Sequence, residues 1–455
     1  MPRISIGFIL IALSLLLSGC SFQTFPTELL RAPKMTTDLN QIREAVSYYM
    51  PSGARLLIPS RHKTVESSIQ EIDMDGDGID EAVAFYKIEK TQLEVGILIL
   101  KKEGNKWIKT EQYTDVGASI DYIQFSDLSG DGRKELLVGW NGGDYGLKQL
   151  NIYHYDNEKL KQVGQMSYSD LAIDDLDEDG KQDLILFNHD HVKMETSASV
   201  YHLEKERLIR IDSIMLDGGI NGFMNVTTGL ATPKQKGVFA EIGVGAHSAY
   251  TLLLTMENGK LFDVLRKGDF DYELTYKAQS VYSEDMNGDN LIEIAVLEEP
   301  PQQENVSLAE MPWITNWLQW DGKNGLIPVH KNYNNYTAGY RFDYPQTWNS
   351  YMTIQRNESE TSGESIFNYI AEDKKRLIPL AAIRYVDNLD WPDTEKKLKD
   401  AMTEYTLIGQ NYGKTIFAAV YPMPENLKVT DRNRYSNLRT NTTYLDENIK
   451  ILNVE

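Results

Sequence analysis

The sequence predicts a mainly β protein in which about five four-stranded sheets follow one another, with a small α+β domain after them. A short acidic motif occurs four times, and strand-forming runs separated by turn residues follow each copy. The first aspartates of the motifs are at positions 73, 127, 175 and 285, so the first two intervals are 54 and 48 residues. Periods near 50 residues with four strands each are typical of β-propellers. The predicted fold is therefore a β-propeller of about five blades.

The acidic motif places oxygen-bearing side chains at positions 1, 3, 5 and 9, with glycine or asparagine where the backbone must turn. Ca²⁺ is bound by about six to eight such oxygens, backbone carbonyls included. With the carbonyl of position 7, the predicted ligand sets are Asp73, Asp75, Asp77, Ile79, Glu81; Asp127, Ser129, Asp131, Arg133, Glu135; Asp175, Asp177, Asp179, Lys181, Asp183; and Asp285, Asn287, Asp289, Leu291, Glu293. Solvated acidic turns without an ion are the alternative. Repulsion between clustered carboxylates favours the ion.

Position 12 distinguishes these loops from an EF-hand, which closes its site with a bidentate glutamate and continues into a helix. Here position 12 is Ala84, Val138, Leu186 or Val296, inside a short apolar run that is typical of a strand. Ser129 and Asn287 each remove one charge, so the second and fourth sites are expected to be the weaker ones. Recurrence once per sheet favours a structural role for the ion over a catalytic one.

The pattern D-x-[DNS]-x-D-[GN]-x-x-[DE] followed by a strand resembles the FG-GAP/VCBS-type repeat of integrin-like β-propellers. This resemblance implies a loop that joins neighbouring strands of one sheet and an ion that rigidifies the turn. The last interval, 110 residues, is about twice the others. We therefore predict a further sheet near residue 230, with the turn in 227–239 and without acidic ligands or metal.

The N-terminus has the pattern of a secretory signal, in which Arg3 precedes an apolar run over 4–17. Residues 17–20, Leu-Ser-Gly-Cys, resemble a bacterial lipobox, and Cys20 is the only cysteine. We predict a signal peptide over 1–19, lipid on Cys20, and a protein held on the outer face of the cell membrane. An uncleaved anchor is the alternative. Residues 20–62 are predicted to be a tether followed by a helix in which Ile42, Val46 and Tyr49 share one face.

Residues 63–336 are assigned to the propeller and 337–455 to a small α+β domain. The second segment opens with Phe342, Tyr344, Pro345 and Trp348, has strand-like runs at 381–386 and 415–421, and has helical patterns at 394–404 and 444–452. The F-x-Y-P-x-x-W opening resembles the C-terminal domain of Gram-positive lipoproteins that carry the same repeats. That resemblance implies no established activity.

The net charge and the motifs narrow the range of functions that the sequence allows. Four Ca²⁺ ions would change the formal net charge from −21 to −13, and no basic face for nucleic acid is visible. No nucleophile elbow or phosphate-binding loop is present. His189 and His191 have a spacing that zinc accepts in a strand, but no third ligand is implied. Trp313, Trp317, Trp320, Tyr333 and Tyr336 are either a surface for glycans or peptides or core packing of the last blade.

These observations predict a calcium-binding lipoprotein of the cell surface that acts as a monomeric binding or scaffolding module. Its partners would be the membrane, through Cys20, and a protein or cell-wall ligand. No catalytic motif is found, so an enzyme is not predicted. The alternative is an envelope enzyme, a glycan hydrolase or lyase, with carboxylates at the mouth of the propeller.

Overall fold

The structure is a computed structural model that describes residues 37–58, 67–88, 94–117, 119–141, 148–268, 271–323, 325–345, 347–348 and 351–452. The described residues form two compact units. The first contains residues 37–58, 67–73 and 77–116, and the second contains residues 74–76 and those from 117 onward. Both are dominated by antiparallel strands. The described part of the chain has 27 strands, four α-helices and one 3-10 helix.

The first unit is a helix packed on one sheet. Its elements are α1 (Thr37–Tyr49), β1 (Ala54–Leu56), β2 (Ile69–Ile72), β3 (Glu81–Ile88), β4 (Glu94–Glu103) and β5 (Lys106–Val116). Both β1 and β2 pair with β3, which continues through β4 to β5. Ile42 and Val46 of α1 are buried in one cluster with Leu98 and Trp107. The predicted helix and its apolar face are confirmed, and Pro51 follows where the helix ends.

Three sheets with identical topology open the second unit. They contain β6 (Ser119–Ser126), β7 (Glu135–Asn141), β8 (Gln149–Asp156) and β9 (Lys159–Ser167); β10 (Asp170–Asp174), β11 (Asp183–Asp190), β12 (Glu195–Glu204) and β13 (Arg207–Leu216); and β14 (Gly222–Thr232), β15 (Gln235–Val244), β16 (Ser248–Glu257) and β17 (Lys260–Asp263). In each sheet the four strands pair antiparallel in chain order. The middle strands are almost fully buried, which explains their continuous apolar runs.

Strand order shows where each acidic loop lies. Sequence periodicity groups the strand at 120–125 with the three strands before it, but β6 pairs with β7 and so opens the next sheet. The second and third loops therefore join the first and second strands of their sheets, the first loop joins β2 to β3, and the fourth leads into a strand that begins at Ile294. The sheet predicted near residue 230 is confirmed as β14 to β17. Its first two strands are joined by a tight turn at Pro233 and Lys234, between the paired residues Thr232 and Gln235.

A fifth sheet contains strands from distant parts of the chain. Its strands are β18 (Ile294–Glu298), β19 (Ile314–Trp320), β20 (Leu326–Asn335), β21 (Tyr340–Asp343) and β27 (Ile449–Ile451), and a 3-10 helix (Glu273–Thr275) precedes them. They pair in the order β18-β19-β20-β21-β27. The predicted domain boundary between residues 336 and 337 falls in the turn from β20 to β21. The division into domains, the number of blades and ring closure remain predictions.

The last sheet has the order β22-β23-β24-β26-β25 and is accompanied by helices. Its elements are β22 (Met352–Glu358), β23 (Ser362–Ile370), β24 (Leu377–Asp387), β25 (Tyr405–Asn411), β26 (Lys414–Val420), α2 (Trp391–Asp400), α3 (Val429–Leu438) and α4 (Thr442–Asn448). The helix predicted over 394–404 begins earlier, because Pro392 starts its first turn. The helix predicted over 444–452 ends at Asn448, and the β-branched Ile449 and Ile451 continue as β27.

The aromatic residues that open the C-terminal segment form a core. Phe342, Tyr344, Trp348 and Phe367 contact one another with ring centroids 5.1 to 5.8 Å apart. The Trp348 indole N–H donates to the carbonyl of Leu438 at 2.8 Å. Spacings of this kind are favourable for aromatic pairs. The F-x-Y-P-x-x-W pattern is thus explained by packing.

Candidate metal sites

The four acidic loops share one backbone conformation. Position 4 has a positive φ in every loop, and so has position 6. The position 4 values are 76° for Gly76, 72° for Gly130, 58° for Glu178 and 80° for Gly288; the position 6 values are 82° for Gly78, 87° for Gly132, 89° for Gly180 and 69° for Asn290. This left-handed region favours glycine and tolerates asparagine. The glycine and asparagine residues of the motif are therefore explained by the backbone conformation of the turn.

Hydrogen bonds inside the motif hold this conformation. In every loop the carboxylate of position 1 accepts a hydrogen bond from the backbone N–H of position 6, at 2.8 to 2.9 Å. The carboxylate of position 5 accepts one from the N–H of position 7, also at 2.8 to 2.9 Å. Donors and acceptors lie within the nine residues, so the pattern folds in the same way each time it occurs.

The position 9 carboxylates are the most buried groups of the loops. Glu81, Glu135 and Asp183 are the first residues of β3, β7 and β11, Glu293 directly precedes β18, and all four are fully buried. In the second, third and fourth loops this carboxylate accepts a hydrogen bond from the backbone N–H of position 2, at 2.9, 2.8 and 2.7 Å. This hydrogen bond therefore connects the second residue of the loop to the start of the following strand.

In each case a polar side chain on the next strand of the chain, β4, β8, β12 or β19, faces the position 9 carboxylate across the sheet. Lys101 Nζ lies 3.8 Å from Glu81, His154 Nδ1 lies 3.0 Å from Glu135, His202 Nε2 lies 2.5 Å from Asp183, and the Gln319 amide donates to Glu293 at 2.6 Å. The strand register places each pair directly opposite. A buried carboxylate needs such partners, because desolvation penalises an isolated charge.

The sequence prediction missed this row of partners. They follow position 9 by 20, 19, 19 and 26 residues, so repeat counting alone does not align them. A local signal does exist: two residues after each partner comes an acidic residue, Glu103, Asp156, Glu204 or Asp321, at or directly after the end of the strand. Aligning the chain on that acidic position would bring Lys101, His154, His202 and Gln319 into one column.

Three of the four loops bring three carboxylates together. Within each set, one oxygen from each residue lies within 4.8 Å of the others. The sets are Asp73, Asp75 and Glu81; Asp175, Asp177 and Asp183; and Asp285, Asp289 and Glu293. Separations of this size allow a single ion to contact all three groups. The chemistry of these donors, hard anionic oxygens only, fits Ca²⁺.

The second loop is the exception, because its position 5 carboxylate is held by its own neighbour. Arg133 donates to Asp131 Oδ2 through Nε at 3.0 Å and through a terminal nitrogen at 2.6 Å. Ser129 at position 3 donates to Asp127 at 3.4 Å. The guanidinium thus already supplies a positive charge to this loop.

Charges around the loops separate them into two pairs. Lys101 lies 2.8 Å from Asp77 and holds the pKa of that carboxyl below its usual value, as Arg133 does for the pKa of Asp131. In the third and fourth loops burial raises the pKa of Asp183 and of Glu293. In the first two loops a protein cation therefore compensates the position 5 carboxylate, whereas in the last two burial acts on the position 9 carboxylate.

The remaining predicted ligands have other partners or stay untested. Asn287 donates through its amide to Asp289 and to Glu293, both at 3.1 Å. Asp179 accepts the backbone N–H of Lys181 at 2.8 Å. For Ile79, Arg133, Lys181 and Leu291 the backbone N–H groups are engaged with position 5, and the ligand role of their carbonyls remains a prediction.

His189 and His191 lie against each other instead of spreading toward a third ligand. His189 Nε2 is 2.8 Å from His191 Nδ1, and His189 Nδ1 is 2.8 Å from the hydroxyl of Thr196. Burial, followed by the neighbouring His191, lowers the pKa of His189. Neither histidine belongs to a group of three potential ligands in the described part of the chain. The pair therefore offers two ligands at most among these residues.

The aromatic group of the fifth sheet divides into core and surface. Trp317, Trp320 and Tyr333 are buried. Trp313 is half-buried, and Tyr336 is 64% exposed. The core interpretation is correct for the first three residues, and the other two line a cavity described below.

The predicted signal peptide, the lipobox with Cys20 and the tether lie outside the described residues. Among the residues that the structure does describe, no helix has both the length and the apolar character needed to cross a membrane. Lipidation and membrane attachment therefore stay predictions.

Comparison with known proteins gives structural neighbours only. No protein-family model matches the sequence, and no curated protein matches it. Among solved structures, a rhamnogalacturonan lyase (YesW) has a TM-score of 0.31 and 10% identity over 69% of this chain and 74% of that one. A Bacillus licheniformis rhamnogalacturonan lyase has a TM-score of 0.26 and 12% identity over 72% of this chain and 75% of that one.

The β-propeller domain of the Trilobed protease from Pyrococcus furiosus has a TM-score of 0.30 and 10% identity, over 74% of this chain and 94% of that one. These structures are propeller-like neighbours of a mainly β chain. At such TM-scores the likeness carries no argument about activity, blade number or ring closure. What this chain shares with proteins of known structure is, at this level, a β architecture.

Proposed function

We propose that this protein is a binding or scaffolding module of the cell surface, anchored through lipid on Cys20 and stabilised by structural calcium. The observation that supports it most directly is the repeated loop geometry. Four loops have the same backbone conformation, and three of them converge carboxylates to within 4.8 Å. Repetition of the loop ahead of a buried strand in four of the sheets favours a structural element over a single reaction centre.

Carboxylates from positions 1, 3, 5 and 9 would hold the ion, and its charge would relieve their mutual repulsion. The consequence for the fold comes through position 9. Asp183, for example, bonds the N–H of Leu176 in the loop and His202 on the third strand. A charge that fixes this carboxylate therefore fixes three segments of one sheet.

Calcium removal tests this proposal. We expect the melting temperature of the full chain to fall when EGTA replaces Ca²⁺, because a ligand that binds only the folded state stabilises it. Each site would contribute about 2.7 kcal/mol when free Ca²⁺ is about 100 times its Kd. Mg²⁺ is the control, since it demands a smaller octahedral shell. The same melting curve in EGTA and in Ca²⁺ would contradict a structural role for calcium.

The lipid anchor is tested separately by Cys20→Ser. The expected result is that the protein moves from the membrane fraction to the soluble fraction of the cell envelope, because acyl chains supply the membrane affinity. Fractionation followed by immunoblotting measures this, and Ser21→Ala serves as the matched neighbour. Retention of the Cys20→Ser protein in the membrane fraction would indicate an uncleaved anchor.

The alternative, an envelope enzyme acting on glycans, remains a hypothesis. It requires a pair of carboxyl groups facing each other across a bound sugar, about 5 to 10 Å apart. The clustered carboxylates of the described residues lie in the acidic loops, where they bond the backbone of those loops. No observation on the described residues favours the enzyme over the binding module.

A further inference from the structure

A cavity of about 220 Å³ lies beside the fifth sheet and is lined by both aromatic and polar side chains. Two aromatic side chains line it, Trp313 and the largely exposed Tyr336. The polar part of the lining includes Gln279, Thr315 and Asn334, whose groups are uncharged. Aromatic walls combined with a few placed hydrogen-bonding groups are the usual composition of a small-molecule site.

The one charged residue in this lining is neutralised inside the protein. Arg356 forms an ion pair with Glu358 and also donates to the hydroxyl of Thr337 at 3.2 Å. A site with a compensated charge gives no advantage to a ligand that carries a net charge. The lining therefore fits an uncharged molecule rich in hydroxyl groups.

Below the lining there is an unused hydrogen-bond donor. The side-chain amide of Asn334 donates to the Thr315 hydroxyl at 3.4 Å and to the side-chain Oδ1 of Asn332 at 3.3 Å. Asn332 is fully buried, and its own amide nitrogen has no hydrogen-bond partner within the described residues. A buried donor without an acceptor costs about 1–3 kcal/mol, so a hydroxyl that reached this network would relieve a penalty.

A second cavity of about 470 Å³ shares Ala309 and Arg356 with the first; its lining adds Glu358, the partner of Arg356, and Glu310, a carboxylate that disfavours an anionic ligand. The volume of the first falls below the range of about 300–1,000 Å³ that holds drug-sized ligands, whereas the second falls within it. One small ring would fill the first cavity, and a chain of such rings would continue past Arg356 into the second. The two shared residues place the cavities side by side, so neighbouring rings of one oligomer could occupy both.

Residues between 303 and 313 line both cavities, and hydrogen bonds hold this segment in place before any ligand binds. Gln303 is buried and donates to the Thr353 hydroxyl at 3.0 Å and to the Ile354 carbonyl at 2.8 Å. The Trp313 indole N–H donates to the carbonyl of Leu308 at 3.4 Å. A preorganised wall lowers the entropy lost on binding.

We infer that these two cavities bind a neutral oligosaccharide, with one pyranose ring between Trp313 and Tyr336. The C–H faces of a pyranose are apolar and match aromatic rings, while its rim of hydroxyls both donates and accepts hydrogen bonds, as the amide and hydroxyl lining requires. This inference rests on the proposed function for the need of a ligand. The cavities themselves contain none of the predicted calcium ligands.

Calorimetric titration of the full chain in Ca²⁺ tests the inference with four defined probes: cellohexaose, mannohexaose, N-acetylchitohexaose and a charged galacturonate hexamer. We expect at least one neutral probe to bind with a Kd below about 1 mM and the charged probe to bind more weakly. Trp313→Ala and Tyr336→Ala should each weaken that binding at least about tenfold. Tyr48→Ala is the control, because Tyr48 is an exposed tyrosine on α1.

Melting curves of the variants distinguish lost binding from lost folding, and Tyr336→Ala keeps the test valid if Trp313→Ala fails to fold. Binding of the charged probe alone, or no binding of any neutral probe, would overturn the inference. Equal affinity for the sugar probe in wild type, Trp313→Ala and Tyr336→Ala would overturn the proposed location of the site. If no probe binds while Ca²⁺ still raises the melting temperature, the sugar inference fails and structural calcium stands. If Ca²⁺ has no effect on melting, the proposed structural calcium fails by itself.

Discussion

The fourth sheet and the sheets with acidic loops solve the same problem of buried charge in different ways. In the looped sheets, each fully buried carboxylate at position 9 lies beside other carboxylates or a nearby polar partner. In the fourth sheet, the buried carboxylate Glu241 pairs with Lys277 at 2.8 Å, and both side chains are almost completely buried. The fourth sheet therefore carries its own counter-ion, whereas for the third and fourth loops we propose one from solution.

The Lys277–Glu241 pair is also fully hydrogen-bonded. Thr251 and Ser283 donate their hydroxyls to Glu241 at 2.7 and 2.6 Å, and Lys277 donates to the carbonyl of Val281 at 2.7 Å. Burial lowers the pKa of Lys277, while Glu241 acts in the opposite direction. These contacts join β15, β16 and the chain that leads to the fourth loop. A protein cation does here what we propose calcium does elsewhere.

Breaking this pair should give the largest effect of any single change in these sheets. Glu241→Ala would leave a buried ammonium group unpaired, so we expect a loss of about 3–5 kcal/mol in the free energy of unfolding. Because no metal takes part, the loss should be equal in Ca²⁺ and in EGTA. Denaturant unfolding in both conditions measures it.

The matched control is the double variant Glu241→Leu with Lys277→Met. Apolar replacement of a complete buried pair is often neutral or stabilising, so most of the stability should return. A loss below about 1 kcal/mol in Glu241→Ala, or a loss that depends on calcium, would remove the contrast between the fourth sheet and the looped sheets.

The third loop gives the complementary case. Asp183→Ala removes the acceptor for Leu176 N–H and for His202, and it also removes a ligand of the proposed ion. We expect a loss of about 1–3 kcal/mol in EGTA, from the unsatisfied donors, and a larger loss in Ca²⁺. Glu195→Gln, an exposed change at the start of β12, is the control. Equal losses in the two conditions would show that this loop gains nothing from calcium.

The loops could be predicted from sequence because everything that shapes them is local. Nine residues contain the turn glycines, the carboxylates and the N–H groups that they bind. The sheet near residue 230 was also predictable, because an interval of 110 residues leaves room for one more period. Local pattern and spacing therefore gave the positions of the loops and of that sheet.

What the sequence could not predict depends on partners that are distant in the chain. The contact between Lys277 and Glu241 spans 36 residues and occurs once, so no repeat exposes it. Strand β27 pairs with β21 across about a hundred residues, and its three residues resemble the end of the preceding helix. Arg133 at a variable position of the motif changes the charge of one loop only. Such features are set by register and packing, which periodicity does not encode.

Acid should weaken calcium binding at the third and fourth loops more than at the first. Burial raises the pKa of Asp183 and Glu293, so these carboxyls take up protons at a higher pH than an ordinary carboxyl. Bound calcium requires the deprotonated form, and binding must therefore release protons. As the pH falls from 7 toward 5, we expect the calcium affinity of these loops to fall more steeply than that of the first loop. Titration in buffers of different ionisation enthalpy measures the proton release.

The first loop is the internal reference for that experiment, since Lys101 lowers the pKa of Asp77. Asp73→Asn should remove one of the sites with little pH dependence. Asp285→Asn should remove a site whose calcium affinity depends strongly on pH. If the remaining calcium affinity depends on pH in the same way in both variants, the difference between the two pairs of loops is not electrostatic.

The smallest expected effect concerns the second loop, where Arg133 occupies the carboxylate of Asp131. Arg133→Gln keeps the backbone carbonyl of position 7 and frees Asp131 from an exposed ion pair worth about 0.2–1 kcal/mol. Calcium affinity of this loop should therefore rise by about twofold to fivefold, which calorimetric titration resolves as a change in the weakest class of sites. Lys181→Gln is the control, because Lys181 has the same position in the third loop and forms no ion pair among the described residues. A decrease in affinity for Arg133→Gln would mean that the guanidinium helps to shape the loop instead of competing with the ion.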